Sequence, residues 1–128
     1  MEDLKKIKSF TGLTAWQEAH KLVLEIYKIT KIFPKEEMFG LINQLRRAAV
    51  SITSNIAEGF SRNSYREKLQ FYYLALGSLT EVQNQILVAR DITYISKTDF
   101  EKLAEQTVKV SKLINGLIKK CKSIIQDT

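Results

Sequence analysis

A chain of 128 residues with 45% apolar and 27% charged content can bury a core as one domain without disulfides or a structural metal. Its single cysteine, Cys121, excludes an internal disulfide and fits a reducing compartment. No apolar run reaches the roughly 20 residues of a membrane span, and the first residues lack the apolar core of a signal peptide, so a cytoplasmic location is expected. The net charge of +6 inclines the chain toward polyanionic partners.

Residues 1–13 read as a polar lead-in without a period. Thr14 is placed to cap a first helix over about 15–33, which Pro34 stops. Along it Trp16, Ala19, Val23, Ile26, Thr30 and Phe33 recur at steps of three and four, one face of a helix. A second helix is expected over about 36–59, with the acids Glu36 and Glu37 at its positive N-terminus and Gly59 ending it. After a polar connection at 61–64, Ser64 and Glu67 have the spacing of a capping box and open a third helix over about 64–92. That helix is apolar over a wide arc that includes Leu69, Phe71, Tyr72, Leu74, Leu76, Leu79, Val82, Ile86 and Leu87. Ser96 or Thr98 caps a fourth helix over about 97–125, with Thr98 and Glu101 spaced as a second capping box. Phe100, Leu103, Thr107, Val110, Ile114, Leu117, Cys121 and Ile124 then keep an unbroken three-four alternation, the pattern of a bundle seam.

Four helices with short connections give an all-α fold, an antiparallel up-down-up-down four-helix bundle over 14–126. The third helix carries apolar residues in more directions than one seam absorbs, and oligomerisation is the expected cover for the surplus.

The second helix carries a further pattern. Gln44, Arg47, Ser51, Ser54 and Glu58 recur at steps of three and four and form a polar stripe. On one side runs the apolar face Leu41, Leu45, Ala48, Ile52 and Ile56, and small or apolar Ala49, Val50 and Ala57 lie between the two. A solvated face would carry Lys or Glu there. The stripe therefore implies a helix covered on several sides, with its polar groups paired to each other or to a neighbouring helix.

Catalytic signatures are sparse. His20 has no Cys or carboxylate at helical spacing to complete a metal pair, Ser51, Ser54 and Ser78 have no neighbouring histidine, and no Gly-rich phosphate loop is present. No cofactor or metal is expected. Glu58 and Glu81 are the only carboxylates that suggest a catalytic pair, and nothing beside them suggests a substrate. Polyanion binding has more support. Arg62, Tyr65 and Arg66 surround the start of the third helix, where free amides and cations suit phosphate and an aromatic ring suits an unpaired base. Lys109, Lys112, Lys119, Lys120 and Lys122 form an acid-free basic run near the C-terminus; the plainer account is a solvated helix end whose cations suit the macrodipole.

Several segments carry a family resemblance: Trp16-Gln17, Phe33-Pro34-Lys35-Glu36, Gly40-Leu41, the run from Gln44 to Ala49, the run from Ser54 to Gly59, and Gly77-Ser78-Leu79 followed by Glu81. Their arrangement over roughly 10–125 resembles the bacterial four-helix-bundle proteins known as 23S rRNA intervening-sequence proteins. It is similar, more distantly, to the accessory protein of diversity-generating retroelements, a five-membered barrel that binds a reverse transcriptase and nucleic acid. The resemblance implies a homopentameric ring, a role connected with nucleic acid, and no established enzymatic activity. Thr53 departs from the family pattern, which has Pro there, and implies a straighter helix.

The stripe and the resemblance converge on one expectation, a structural polar network in which Arg46 and Arg47 meet Glu58 and Glu81, with Asn55 beside them. The expected function is a non-enzymatic oligomer that binds structured RNA or DNA. A five-fold ring would multiply the positive charge of each chain into a strong belt. The alternative is a structural or adaptor module for a protein partner such as a reverse transcriptase.

Overall fold

Residues 8–127 are described by the computed structural model; of the lead-in expected at 1–13, residues 1–7 lie outside the described residues. Four helices account for most of the chain: α1 (Thr14–Thr30), α2 (Asn43–Ser61), α3 (Tyr65–Asp91) and α4 (Lys97–Gln126), with no strand among the described residues. α1 packs on α2 and α4, and α3 packs on the same two helices. The connections are too short for parallel neighbours, so the result is an antiparallel up-down-up-down bundle. Its centre is a closed apolar core. Leu22 and Ile26 of α1, Leu45, Ile52 and Ile56 of α2, Leu79 and Val82 of α3, and Val110 and Ile114 of α4 are all fully buried. On α4 the expected seam splits: Leu103, Thr107, Val110, Ile114 and Cys121 are buried, whereas Phe100, Leu117 and Ile124 are half-buried and Ile118 joins the core instead.

The helix ends depart from the sequence expectation at several points. Thr14 is the first helical residue rather than the cap; the cap position is Leu13, which offers no side-chain hydrogen bond. The start of α1 is held instead by a short turn over Phe10–Gly12, capped by Ser9. Gln17 Nε2 donates to the Thr11 carbonyl at 2.9 Å, and Phe10 packs edge-on against Trp16 with centroids 5.3 Å apart. α1 ends at Thr30, whose hydroxyl donates to the Ile26 carbonyl at 2.7 Å. The chain then turns through Phe33, which is buried and is biased away from helix by Pro34.

α2 does not begin at Glu36 and Glu37. These lie in a short turn over Lys35–Glu37, and a wide turn over Met38–Ile42, broken at Gly40 (φ −114°, ψ −113°), separates it from α2. The cause is tertiary. One Glu37 carboxylate oxygen accepts from the Leu41 amide at 3.2 Å and the other accepts from the Tyr94 hydroxyl at 2.8 Å. The Tyr94 ring in turn packs on Phe33, centroids 5.3 Å apart. This ties the α1–α2 connection to the α3–α4 connection, and the Glu37 hydrogen bond raises the Tyr94 pKa. At α4, Ser96 is the cap, accepting from the Asp99 amide at 3.1 Å. Thr98 already lies inside the first turn, so the second capping box is not used. At α3, Ser64 caps as expected, accepting from the Glu67 amide at 3.1 Å.

Gly59 has a different task from the one expected. It does not end α2, which continues to Ser61; it lets α2 and α3 approach. A Cβ at this position would lie 2.6 Å from Tyr72 Cε1 and 3.1 Å from Phe71 Cβ. Tyr72 is itself only 4% exposed, so its ring has nowhere to go.

α1 is clamped to α4 through Glu18, 8% exposed. Its carboxylate takes Lys21 Nζ at 3.0 Å, Gln106 Nε2 at 3.1 Å and Lys109 Nζ at 3.2 Å. Gln106 also donates to the Glu18 carbonyl at 2.9 Å. The hydrogen bonds from Lys21 and Gln106, with help from Lys109 and against the effect of burial, hold the Glu18 pKa down at about 2 rather than the ordinary 4.5.

Two predictions follow from this packing. Gly59→Ala raises helix propensity by up to about 1 kcal/mol yet overpacks the Tyr72 contact, which typically costs about 1–3 kcal/mol. The net expectation is a lower urea midpoint at unchanged slope; an unchanged or higher midpoint would contradict the close approach. For Glu18 the folded pKa is depressed, so its stabilisation is complete above pH 4.5 and is lost as the pH falls toward 2. Glu18→Gln should cost about 1–3 kcal/mol at neutral pH and flatten the acid limb of the stability profile in that window, measured by denaturant titration at each pH.

Candidate nucleic-acid interface

Up-down topology collects four helix ends at one pole of the bundle: the first turn of α1, the last of α2, the first of α3 and the last of α4. The residues expected to contact nucleic acid fall into three groups there and along α4. Arg62 follows α2 and turns back onto it. Its guanidinium bonds Glu58 at 2.9 Å and lies 4.6 Å from the Phe71 ring centroid. Both partners of the pair are about half exposed, so the bond contributes little stability and leaves Arg62 available to solvent.

Arg66 is exposed and has no acidic partner among the described residues. It lines an open depression with Leu69, Gln70, Tyr73 and, from α4, Lys122 and Gln126. The Lys122 ammonium lies 5.6 Å from the Tyr73 ring centroid, which holds it toward α3. The fold thus brings Arg66 and Lys122, from separate candidate segments, to one shallow basic surface. Tyr65 is 38% exposed beside it.

The remaining lysines divide. Lys119 and Lys120 are exposed in the last turns of α4, and Lys112 is exposed higher up. Lys109 leans the other way, into the Glu18 clamp with α1, so the run is not one surface.

Lys68 is a residue that sequence reading missed. Its ammonium donates to the Phe60 carbonyl at 2.6 Å and the Gly59 carbonyl at 3.3 Å, satisfying the carbonyl end of α2 from the first turn of α3. It also lies within cation–π range of Phe60 and Tyr65. Burial lowers its pKa. The only signal in the sequence is a lysine placed early in α3 after a short connection. Cys121 nearby is buried and its pKa is raised by that burial, as befits a core thiol.

The expected Arg–Glu network does not form within the chain. Arg46 turns to α1, where its Nε donates to the Thr30 hydroxyl at 2.9 Å and its guanidinium covers the Tyr27 ring at 4.6 Å. Glu58 is taken by Arg62 one turn on. Asn55 bonds the Ser51 carbonyl and hydroxyl at 2.9 and 3.1 Å, and Ser51 bonds Ser78 of α3 at 2.9 Å. Of the stripe residues, only Ser51 bonds a side chain of α3 among the described residues. Arg47 and Glu81 line one polar groove with Asn43, Gln44 and Ser51, both are exposed, and neither has an ionic partner among the described residues. The physical reason is that Gln44, Arg47, Ser54 and Glu58 face outward: the stripe shares one helical face, but none of the described helices covers it.

His20 stacks on Trp16, centroids 4.7 Å apart and planes 12° off parallel. No described helix is long and apolar enough to cross a membrane.

The chain is similar to known proteins both in sequence pattern and in fold. The pattern of the family described as 23S rRNA-intervening sequence protein matches residues 11–116. Among solved structures, the chain is similar to a protein with unknown function from the S23 ribosomal protein family of Bacteroides thetaiotaomicron, with a TM-score of 0.77 at 20% identity, covering 83% of this chain and 99% of that one. At that identity the likeness concerns the fold. No curated protein matches the sequence.

Proposed function

This chain belongs to the 23S rRNA-intervening sequence protein family, and with the basic pole of its bundle in view we propose that it is a non-enzymatic, oligomeric protein that binds structured RNA or DNA. The observation that carries the reading is the depression shared by Arg66 and Lys122, two cations from different helices without an acid between them. Lys119 and Lys120 extend the positive surface along α4, and Arg62 borders it. Tyr65 offers a ring for an unpaired base. Contacts of this kind recognise backbone and shape, since no base-reading motif is present. A ring of five chains, each with a net charge of +6, would repeat the surface and raise the local potential accordingly. The exposed apolar residues Leu74, Leu87 and Val88 of α3 and Leu24 of α1 support assembly, because surface of this kind is ordinarily covered.

The second reading, an adaptor for a protein partner, is favoured by a different feature. At the opposite pole Phe39 is 93% exposed, in the same connection between α1 and α2 as exposed Met38 and Ile32. An apolar projection of this type suits a protein groove better than a nucleic acid.

A titration of RNA and DNA fragments across salt tests the first reading. Arg66→Ala combined with Lys122→Ala should lower the slope of log affinity against log salt by about two per chain engaged and leave the oligomeric mass unchanged. Lys109→Ala, whose cation is held by Glu18, should leave the slope where it was. Unchanged affinity and slope in the double variant would exclude this pole as the site. A multimer indifferent to nucleic acid would move the assignment to the adaptor.

A further inference from the structure

The basic pole carries aromatic rings as well as cations. Arg62 lies 4.6 Å from the Phe71 ring centroid, Lys68 5.5 Å from Phe60 and 5.8 Å from Tyr65, and Lys122 5.6 Å from Tyr73. The rings divide by depth. Phe60 and Phe71 are half-buried where α2 meets α3 and belong to the packing, where they hold Lys68 and Arg62 in place. Tyr65 and Tyr73 are 38% and 44% exposed, and Tyr73 lines the same depression as Arg66 and Lys122. A ring left in water beside two cations adds nothing to a contact made with phosphate alone. It does add something where a flat apolar surface arrives together with the phosphate.

We infer that the part of an RNA or DNA taken at this pole is an unpaired strand, with Tyr73 and Tyr65 as stacking platforms for its bases and Arg66 and Lys122 as contacts for its phosphates. The inference rests on the function proposed above and names the form of nucleic acid that its site takes. In a duplex the base faces are stacked on one another, so a protein surface meets backbone and base edges. An exposed tyrosine then has no flat partner. In an unpaired strand every base can offer a face, and stacking on an aromatic side chain needs no particular sequence. The spacing agrees. Tyr65 and Tyr73 are little more than two turns apart along α3, about 12 Å at the rise of an α-helix. A stacked strand advances about 3.4 Å per nucleotide, so roughly four or five consecutive nucleotides reach both rings. Arg66 follows Tyr65 directly in the chain, and Lys122 reaches Tyr73 from α4, so each ring has a cation at its side. A strand requires that pairing: a flat face for a base and a positive charge for the phosphate beside it.

Fluorescence anisotropy of the full chain tests this with a labelled single strand about 12 nucleotides long, as RNA and as DNA, and with the blunt duplex of the same sequence. The single strand should bind about tenfold or more tighter than the duplex at the same salt. Tyr73→Ala and Tyr65→Ala, both at exposed positions, should each keep wild-type helicity by circular dichroism and weaken single-strand binding about fivefold or more. Tyr73→Phe, which keeps the ring, should bind as the wild-type chain does. Duplex affinity and the salt slope, both set by the cations, should be the same in all three variants. A duplex bound as tightly as the single strand overturns the inference and leaves the pole as a site for backbone alone. So does an alanine variant that loses affinity for both forms equally, or a single-strand affinity that neither alanine variant moves. Binding of neither form by the wild-type chain overturns the function proposed above, and this inference with it.

Discussion

Where α2 meets α3, the backbone of Gly59 lies against the ring of Tyr72 with no space for a side chain, and the geometry of this helical pair follows from that contact. The close approach lets Lys68 reach back to the last carbonyls of α2, which fixes how the connection at 62–64 is folded. It also sets the register that places Ser51 opposite Ser78 farther along. With α3 held in this way, α4 returns beside it and its last turn delivers Lys122 to Tyr73 and Arg66. The basic pole is a consequence of packing that takes place below it. A phosphate-contacting surface built over a rigid helical junction loses little conformational freedom when occupied.

The bundle was legible because periodicity is a direct readout of burial. Three-four spacing of apolar residues marks a helix and its inward face without knowledge of the rest of the fold. The ends were less legible. The break at Gly40 depends on Glu37 being bonded to Tyr94, a partner in a distant connection, and no local rule announces such a bond. Gly59 has the sequence appearance of a helix stop, yet a close contact explains it better, and only the position of Tyr72 distinguishes the two. The polar stripe of α2 shows the deeper limit. Spacing assigns Gln44, Arg47, Ser51, Ser54 and Glu58 to one face, but cannot say which helix, if any, lies over it. Among the described residues only Ser51 of the stripe bonds a side chain of another helix, and the arginine–glutamate pairs expected there are replaced by other choices: Arg46 with Thr30, Glu58 with Arg62. The candidate site was partly legible for the same reason. A basic run is visible in the sequence, but Lys109 and Lys122 point to opposite neighbours, and that division belongs to the packing.

Charge in this chain has two distinct uses, separated by depth. Glu18 sits almost wholly inside, so its three donors act in a medium where they depress its pKa to about 2 and lock α1 to α4. Lys68 is the cationic counterpart, caught between carbonyls and aromatic rings. These groups define how helices meet. Arg66, Lys119 and Lys120 are exposed, form no ion pair among the described residues, and contribute little to the fold. What they shape is the field outside the molecule, which is the property a polyanion responds to first.

The groups whose placement the single chain does not account for collect on its outer stripes. Gly77 weakens α3 without relieving any contact, Leu74 and Leu24 leave apolar surface in water, and Arg47 and Glu81 share a groove without pairing. Each is tolerable alone, since exposed leucines and solvated charges are common on any surface. Their alignment is the informative part: Leu74, Gly77 and Glu81 follow one seam spacing, and Leu24 lies on another. A helix face selected only for contact with water has no reason to keep apolar and small residues in register with one another. A face selected for contact with a second helix does, because seam positions must repeat every three or four residues for side chains to interdigitate. The core seams and the outer stripes therefore share one three-four spacing, which only the core seams fill among the described residues.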